Sequence, residues 1–136
     1  MNDVNYIKGQ LQSWRACINW VAKKYPEKLF ELEHKLKNLK GISYEEKQGG
    51  HGIDESLRRS IIIDEINILE KEKQYCESVI NFCEAIIEKV QPQYQGIFRY
   101  RYSTYSTISW IAYKFGYEKK TIYQIIDRET ERIANE

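Results

Sequence analysis

The chain has 136 residues, the length of one domain or of one domain with an appendage, and 21 Lys+Arg against 20 Asp+Glu leave a net charge of +1. That balance excludes a uniformly basic nucleic-acid coat, so any basic function must sit in a local patch. Charged residues at 30% and apolar residues at 42% argue against disorder, and only 7 Gly and 2 Pro favour long helices over turns.

The first predicted helix runs from about Asn2 to Tyr25. Val4, Ile7, Leu11, Trp14, Ile18, Val21 and Tyr25 alternate steps of three and four, a continuous apolar seam. Pro26 is expected to break it, with a second helix restarting near Glu27. Leu29, Leu32, Leu36 and Leu39 continue the spacing, and Gly41 is the expected C-cap. Residues 41–53 read as a mobile loop. Gly49, Gly50 and Gly52 flank His51 there, but no strand precedes them, so a phosphate cradle is not supported.

A long third helix is predicted from Asp54, a candidate N-cap, to Val90. One seam holds Ile62, Ile66, Leu69, Cys76, Ile80, Cys83, Ile87 and Val90, interrupted by Lys73. A second holds Leu57, Ile61, Ile68, Tyr75, Val79, Phe82 and Ile86. Two seams offer more apolar face than the preceding helices obviously cover, which predicts a homodimer. Glu70, Glu72, Glu77, Glu84 and Glu88 fall outside both and read as a solvated face.

Pro92 ends that helix, and three short helices follow: Tyr94 to Tyr102, Thr107–Phe115 and Glu118–Ala134. The expected fold is all-α: an antiparallel, coiled-coil-like bundle over residues 1–91, then a trihelical helix-turn-helix over 92–136. Ile108, Ile111 and Ala112 form one apolar stripe, with Ala112 small enough for a close helix crossing. Gly116 supplies a left-handed turn, Tyr117 plugs it, and Ile122, Ile125, Ile126 and Ile133 face back to the core.

Lys119, Lys120, Thr121, Tyr123, Gln124 and Arg128 lie off that buried stripe and suit duplex DNA. Lys and Arg neutralise phosphates; Gln can bond an adenine edge bidentately, and Lys can bond guanine. Arg99, Arg101 and Lys114 precede the second helix as candidate phosphate contacts. Residues 92–126 carry five bases against one acid, whereas residues 1–91 carry 14 bases and 15 acids, so the near-neutral total hides a basic C-terminal patch.

The block FRYRYSTYSTISWIAYKFGYEKKTIYQIIDR resembles the promoter-recognition helix-turn-helix of sigma factors. The matching residues are Arg99-Tyr100-Arg101-Tyr102, Trp110-Ile111-Ala112, Gly116-Tyr117 and Thr121-Ile122-Tyr123. Placed after a helical region with a long third helix, it looks like the small phage and prophage regulators of the ArpU and RinA type. That resemblance implies a sequence-specific transcriptional regulator that binds double-stranded DNA in the cytoplasm of a bacterial host. One position departs from the pattern: the usual N-capping Ser is Glu118, a weaker cap that places negative charge near the DNA. Two other readings are a DNA-packaging factor like a small terminase subunit and a helical module that binds RNA polymerase.

Enzymatic, metal and cofactor readings find no support in the motifs. No nucleophile, dinucleotide or P-loop fingerprint is present, so the chain is not expected to be an enzyme or to hold a cofactor. Glu31, Glu33 and His34 lack the paired motifs of a di-iron bundle, and neither His34 nor His51 has a ligand partner at zinc spacing. Cys76 and Cys83, seven residues apart on a helix, lie about 10.5 Å apart along it, too far for a disulfide. With Cys17 they read as small core residues. No signal peptide or membrane span is expected, and no membrane partner.

Overall fold

A computed structural model describes residues 3–49 and 55–136 of the chain, with side chains for 3–39 and 55–136. The regular structure among the described residues is helical throughout, without strands. The helices are α1 (Val4–Asn19), α2 (Tyr25–Gly49), α3 (Glu55–Lys89), α4 (Pro92–Tyr102), α5 (Ile108–Phe115) and α6 (Lys119–Ala134).

Pro26 does not end the first helical stretch. A π-helical segment, Trp20–Lys24, joins α1 to α2, and the Tyr25 N–H reaches back to the Trp20 carbonyl. A proline in a helix lacks an N–H and crowds the carbonyl four residues back; a π turn changes that local register and lets the helix continue. Gly41 likewise is not a C-cap, because α2 continues to Gly49. Residues 41–49 are therefore helical rather than loop. The remainder of that expected loop and the Asp54 N-cap lie outside the described residues.

The chain forms two compact units, Met1–Ile18 with Glu77–Glu136, and Asn19–Cys76. The sequence pattern divides the chain at residue 91 instead. The difference arises because the seam of α1 is used in the first unit, together with the C-terminal part of α3 and helices α4–α6. There Ile7, Leu11, Trp14 and Cys17 of α1 are buried, as are Val79, Cys83, Ile86, Ile87 and Val90 of α3. Tyr6 meets Phe82 edge to face at 5.3 Å, and the Cys83 thiol donates to the Gln10 carbonyl at 3.3 Å. None of the three cysteines forms a disulfide, and burial pushes the Cys83 thiol up to about 12.

In the second unit α2 and the first part of α3 run antiparallel. Tyr25, at the start of α2, donates its hydroxyl to the Glu70 carboxylate, and Lys73 lies 4.7 Å from the Tyr25 ring centre. Leu39, further along α2, adjoins Ile61 and Ile62. Lys73, an interruption in the seam, thus covers an aromatic face, and Glu70 is bonded rather than merely solvated. Among the described residues here, only Leu39, Ile62 and Leu69 are buried apolar ones.

Candidate nucleic-acid interface

Helices α4–α6 form a trihelical unit whose two tight connections follow from local chemistry. Thr107 has extended backbone and caps α5, its hydroxyl accepting from the Trp110 N–H at 3.1 Å. Gly116 ends α5 at φ 76°, and it is the one described residue with positive φ. A side chain there would strain the left-handed backbone. The Tyr117 N–H closes the turn on the Ala112 carbonyl at 3.0 Å. Tyr117 itself is 40% exposed, so it covers the turn's flank rather than plugging it. Glu118 takes the N-cap position of α6 with no side-chain cap bond, because its longer side chain does not fold back as Ser does.

Ile108, Ile111 and Ala112 of α5 and Ile122, Ile125, Ile126 and Ile133 of α6 are buried, as their spacing requires. A second close approach escapes the sequence pattern. At Gly96 of α4 an added Cβ would lie 2.9 Å from the Phe115 ring, so glycine there lets α4 and α5 meet.

The six isoleucines and the alanine turn the polar residues at the start of α6 outward. Lys119, Lys120, Tyr123, Gln124 and Arg128 are exposed and Thr121 is half-buried. Lys120, Gln124 and Arg128 recur every four residues and share one face. Among the described residues, no ion pair engages Lys119, Lys120 or Arg128. The next turns carry Asp127 and Glu131 beside Arg128, so the excess of positive charge is greatest at the start of the helix.

The candidate phosphate contacts are differently placed. Arg99 is held by Glu84 of α3 through two bonds of 3.2 and 3.1 Å. A phosphate at Arg99 would have to share or displace that carboxylate. Arg101 is exposed, its guanidinium 5.9 Å from the Tyr102 ring centre. Lys114 lies over Tyr100 and Trp110, at 5.5 and 5.4 Å, with Tyr100 also against Phe115. Lys114 is thus carried on an aromatic platform.

Several residues that steady this surface carry no local sequence signal. Lys8 of α1 donates to Asp127 of α6 at 2.8 Å, and that bond holds the Lys8 ammonium pKa above its usual value. Arg15 of α1 donates to the Thr104 carbonyl at 3.1 Å and stacks on Tyr105, tying α1 to the α4–α5 connection. Glu129 is a buried carboxylate of α6. It accepts from Arg132 at 2.8 Å and from the Gln91 N–H, at the start of α4, at 2.8 Å. The Arg132 bond foremost, aided by Gln91, holds its pKa below the usual carboxylate value against the opposing effect of burial. An i, i+3 spacing could suggest the Glu129–Arg132 pair, but nothing local suggests Gln91.

Among the described residues, no cluster of His, Cys, Asp and Glu could hold a metal ion, and no helix is long and apolar enough to cross a membrane. No family model, curated protein or solved structure matches the chain.

Proposed function

We propose that the protein is a sequence-specific, DNA-binding transcriptional regulator of phage or prophage genes, acting in a bacterial host, with α6 entering the major groove. The observation that carries this reading is the first two turns of α6. There Lys119, Lys120, Tyr123 and Gln124 are exposed, while Ile122, Ile125 and Ile126 are buried behind them and the Gly116 turn sets the helix apart from α5. A helix presented in this way suits the major groove, with its N-terminal residues nearest the base edges. The resemblance of residues 98–128 to a sigma-factor helix-turn-helix supports the same reading.

Base contacts and phosphate contacts fail differently, and that provides the test. A preferred site is first selected from a random duplex pool. Gln124→Ala should then cost about 1–3 kcal/mol on that site and relax specificity at one base position. Arg101→Ala should weaken all duplexes alike and lower the salt slope by about one. Equal loss from Gln124→Ala on selected and random DNA would refute the recognition role of α6. Failure to enrich any sequence would refute sequence-specific binding.

A further inference from the structure

The second apolar seam of α3 is only partly used within the chain. Within the unit Asn19–Cys76, Leu57, Ile61 and Ile68 are 52%, 43% and 57% exposed, and Tyr75 extends their line at 60%. Asp64 and Lys71 fall between them and are exposed. Leu57, Ile61, Asp64, Ile68, Lys71 and Tyr75 therefore step by four and three in strict alternation, the spacing of a coiled-coil seam. This stripe lies apart from the buried face, which holds Ile62 and Leu69. Two shallow apolar hollows flank it, one formed by Ile61 with Ile62 and Leu39, the other by Ile68 and Tyr75 with Trp20 and Cys76.

We infer that this stripe pairs with the same stripe of a second copy of the chain, the two α3 helices running antiparallel. The two charges decide the partner and the direction. Parallel, in-register pairing would set Asp64 against Asp64 and Lys71 against Lys71. Antiparallel pairing sets Leu57 opposite Tyr75, Ile61 opposite Lys71 and Asp64 opposite Ile68. Each Asp64 then lies within one turn of the other copy's Lys71, and one two-fold axis satisfies both pairs. Among the described residues neither Asp64 nor Lys71 has an ion pair within its own chain. The register costs two like-charge approaches: Glu65 to its symmetry mate on the rim, and Asp64 to its own, about 6 Å along the axis against about 4.5 Å for each Asp64–Lys71 pair. This pairing stands apart from the DNA reading and does not need it.

The test is the mass of the full-length chain in solution, by sedimentation equilibrium up to high micromolar concentration. The wild type should be a dimer, and Ile68→Asp should be a monomer with unchanged helical circular dichroism, because residue 68 is exposed within its own chain. Asp64→Lys and Lys71→Asp should each weaken dimerisation about tenfold, since each replaces two attractions with two repulsions. The double variant Asp64→Lys/Lys71→Asp should restore it. A monomeric wild type, or a dimer indifferent to Ile68→Asp, would overturn the interface. Single reversals without effect, or a double variant no tighter than the singles, would overturn the antiparallel register.

Discussion

The two units make opposite use of one helix. In the unit that holds α4–α6, the second seam of α3 is consumed: Val79 and Ile86 are 1% and 3% exposed, and Phe82 packs on Tyr6. In the other unit the same seam, seven residues earlier in each repeat, faces outward at Leu57, Ile61 and Ile68. The spacing is continuous, but Asp64 and Lys71 take two of its positions in the outward half, whereas Val79, Phe82 and Ile86 keep the covered half apolar. The number of neighbours differs too: α1, α4, α5 and α6 share the first unit with α3, whereas α2 and the short π segment share the second. An amphipathic helix with two seams needs two partners, and where the described residues supply only one, the remaining seam is left exposed.

The largest test of this contrast is Trp14→Ala. Trp14 is 1% exposed in the better-packed unit, and its loss should cost about 3–5 kcal/mol, whereas Ile68→Ala in dilute protein should stay within about 0.5 kcal/mol. Chemical denaturation of both variants measures the difference, and similar values would erase the distinction. Next in size is Gly96→Ala, whose methyl would meet the Phe115 ring. It should cost about 1–3 kcal/mol and lower the thermal midpoint.

Glu129→Ala should cost about 1–2 kcal/mol by leaving the Gln91 N–H without its acceptor. It carries a pH signature as well. Because the folded-state pKa of Glu129 is lowered, its contribution is present above the ordinary value of 4.5 and is lost as pH falls through the folded value. Acid titration of stability should therefore be shallower in the variant than in the wild type. Near neutral pH the smallest effect is at Cys83. Its raised pKa favours the folded state below the ordinary value of 9.0, and that contribution fades as pH rises from 9.0 through about 12. Near neutrality stability should not respond, and a thiol reagent should modify half-exposed Cys76 well before buried Cys83 and Cys17.

Much of the trihelical unit was legible because its signals are local. The isoleucines of α6 recur at helical period, Gly116 is the residue a left-handed turn selects, and their geometry leaves Lys119, Lys120, Tyr123 and Gln124 outside. Trp14 was legible for the same reason. Pro26 and Gly41 misled because propensity is weaker than context: a π turn accommodates the proline, and a lone glycine costs a helix only about 1 kcal/mol. Arg99 reads as a free cation in sequence, yet Glu84, fifteen residues earlier, holds it.

The sequence by itself determined that the chain is helical, which faces of α1, α3, α5 and α6 are apolar, and where the tight turn before α6 must fall. These follow from side-chain periodicity and backbone sterics, which act over a few residues. Only the tertiary structure decided that α1 belongs with α4–α6 and that Lys8, Arg15 and Glu129 steady the candidate interface. It also decided that one half of the second α3 seam is covered and the other half left open. Those outcomes depend on which surfaces meet across 38 to 119 residues of chain, as in the Gln91–Glu129 and Lys8–Asp127 bonds, and periodicity along a single helix carries no record of its partner.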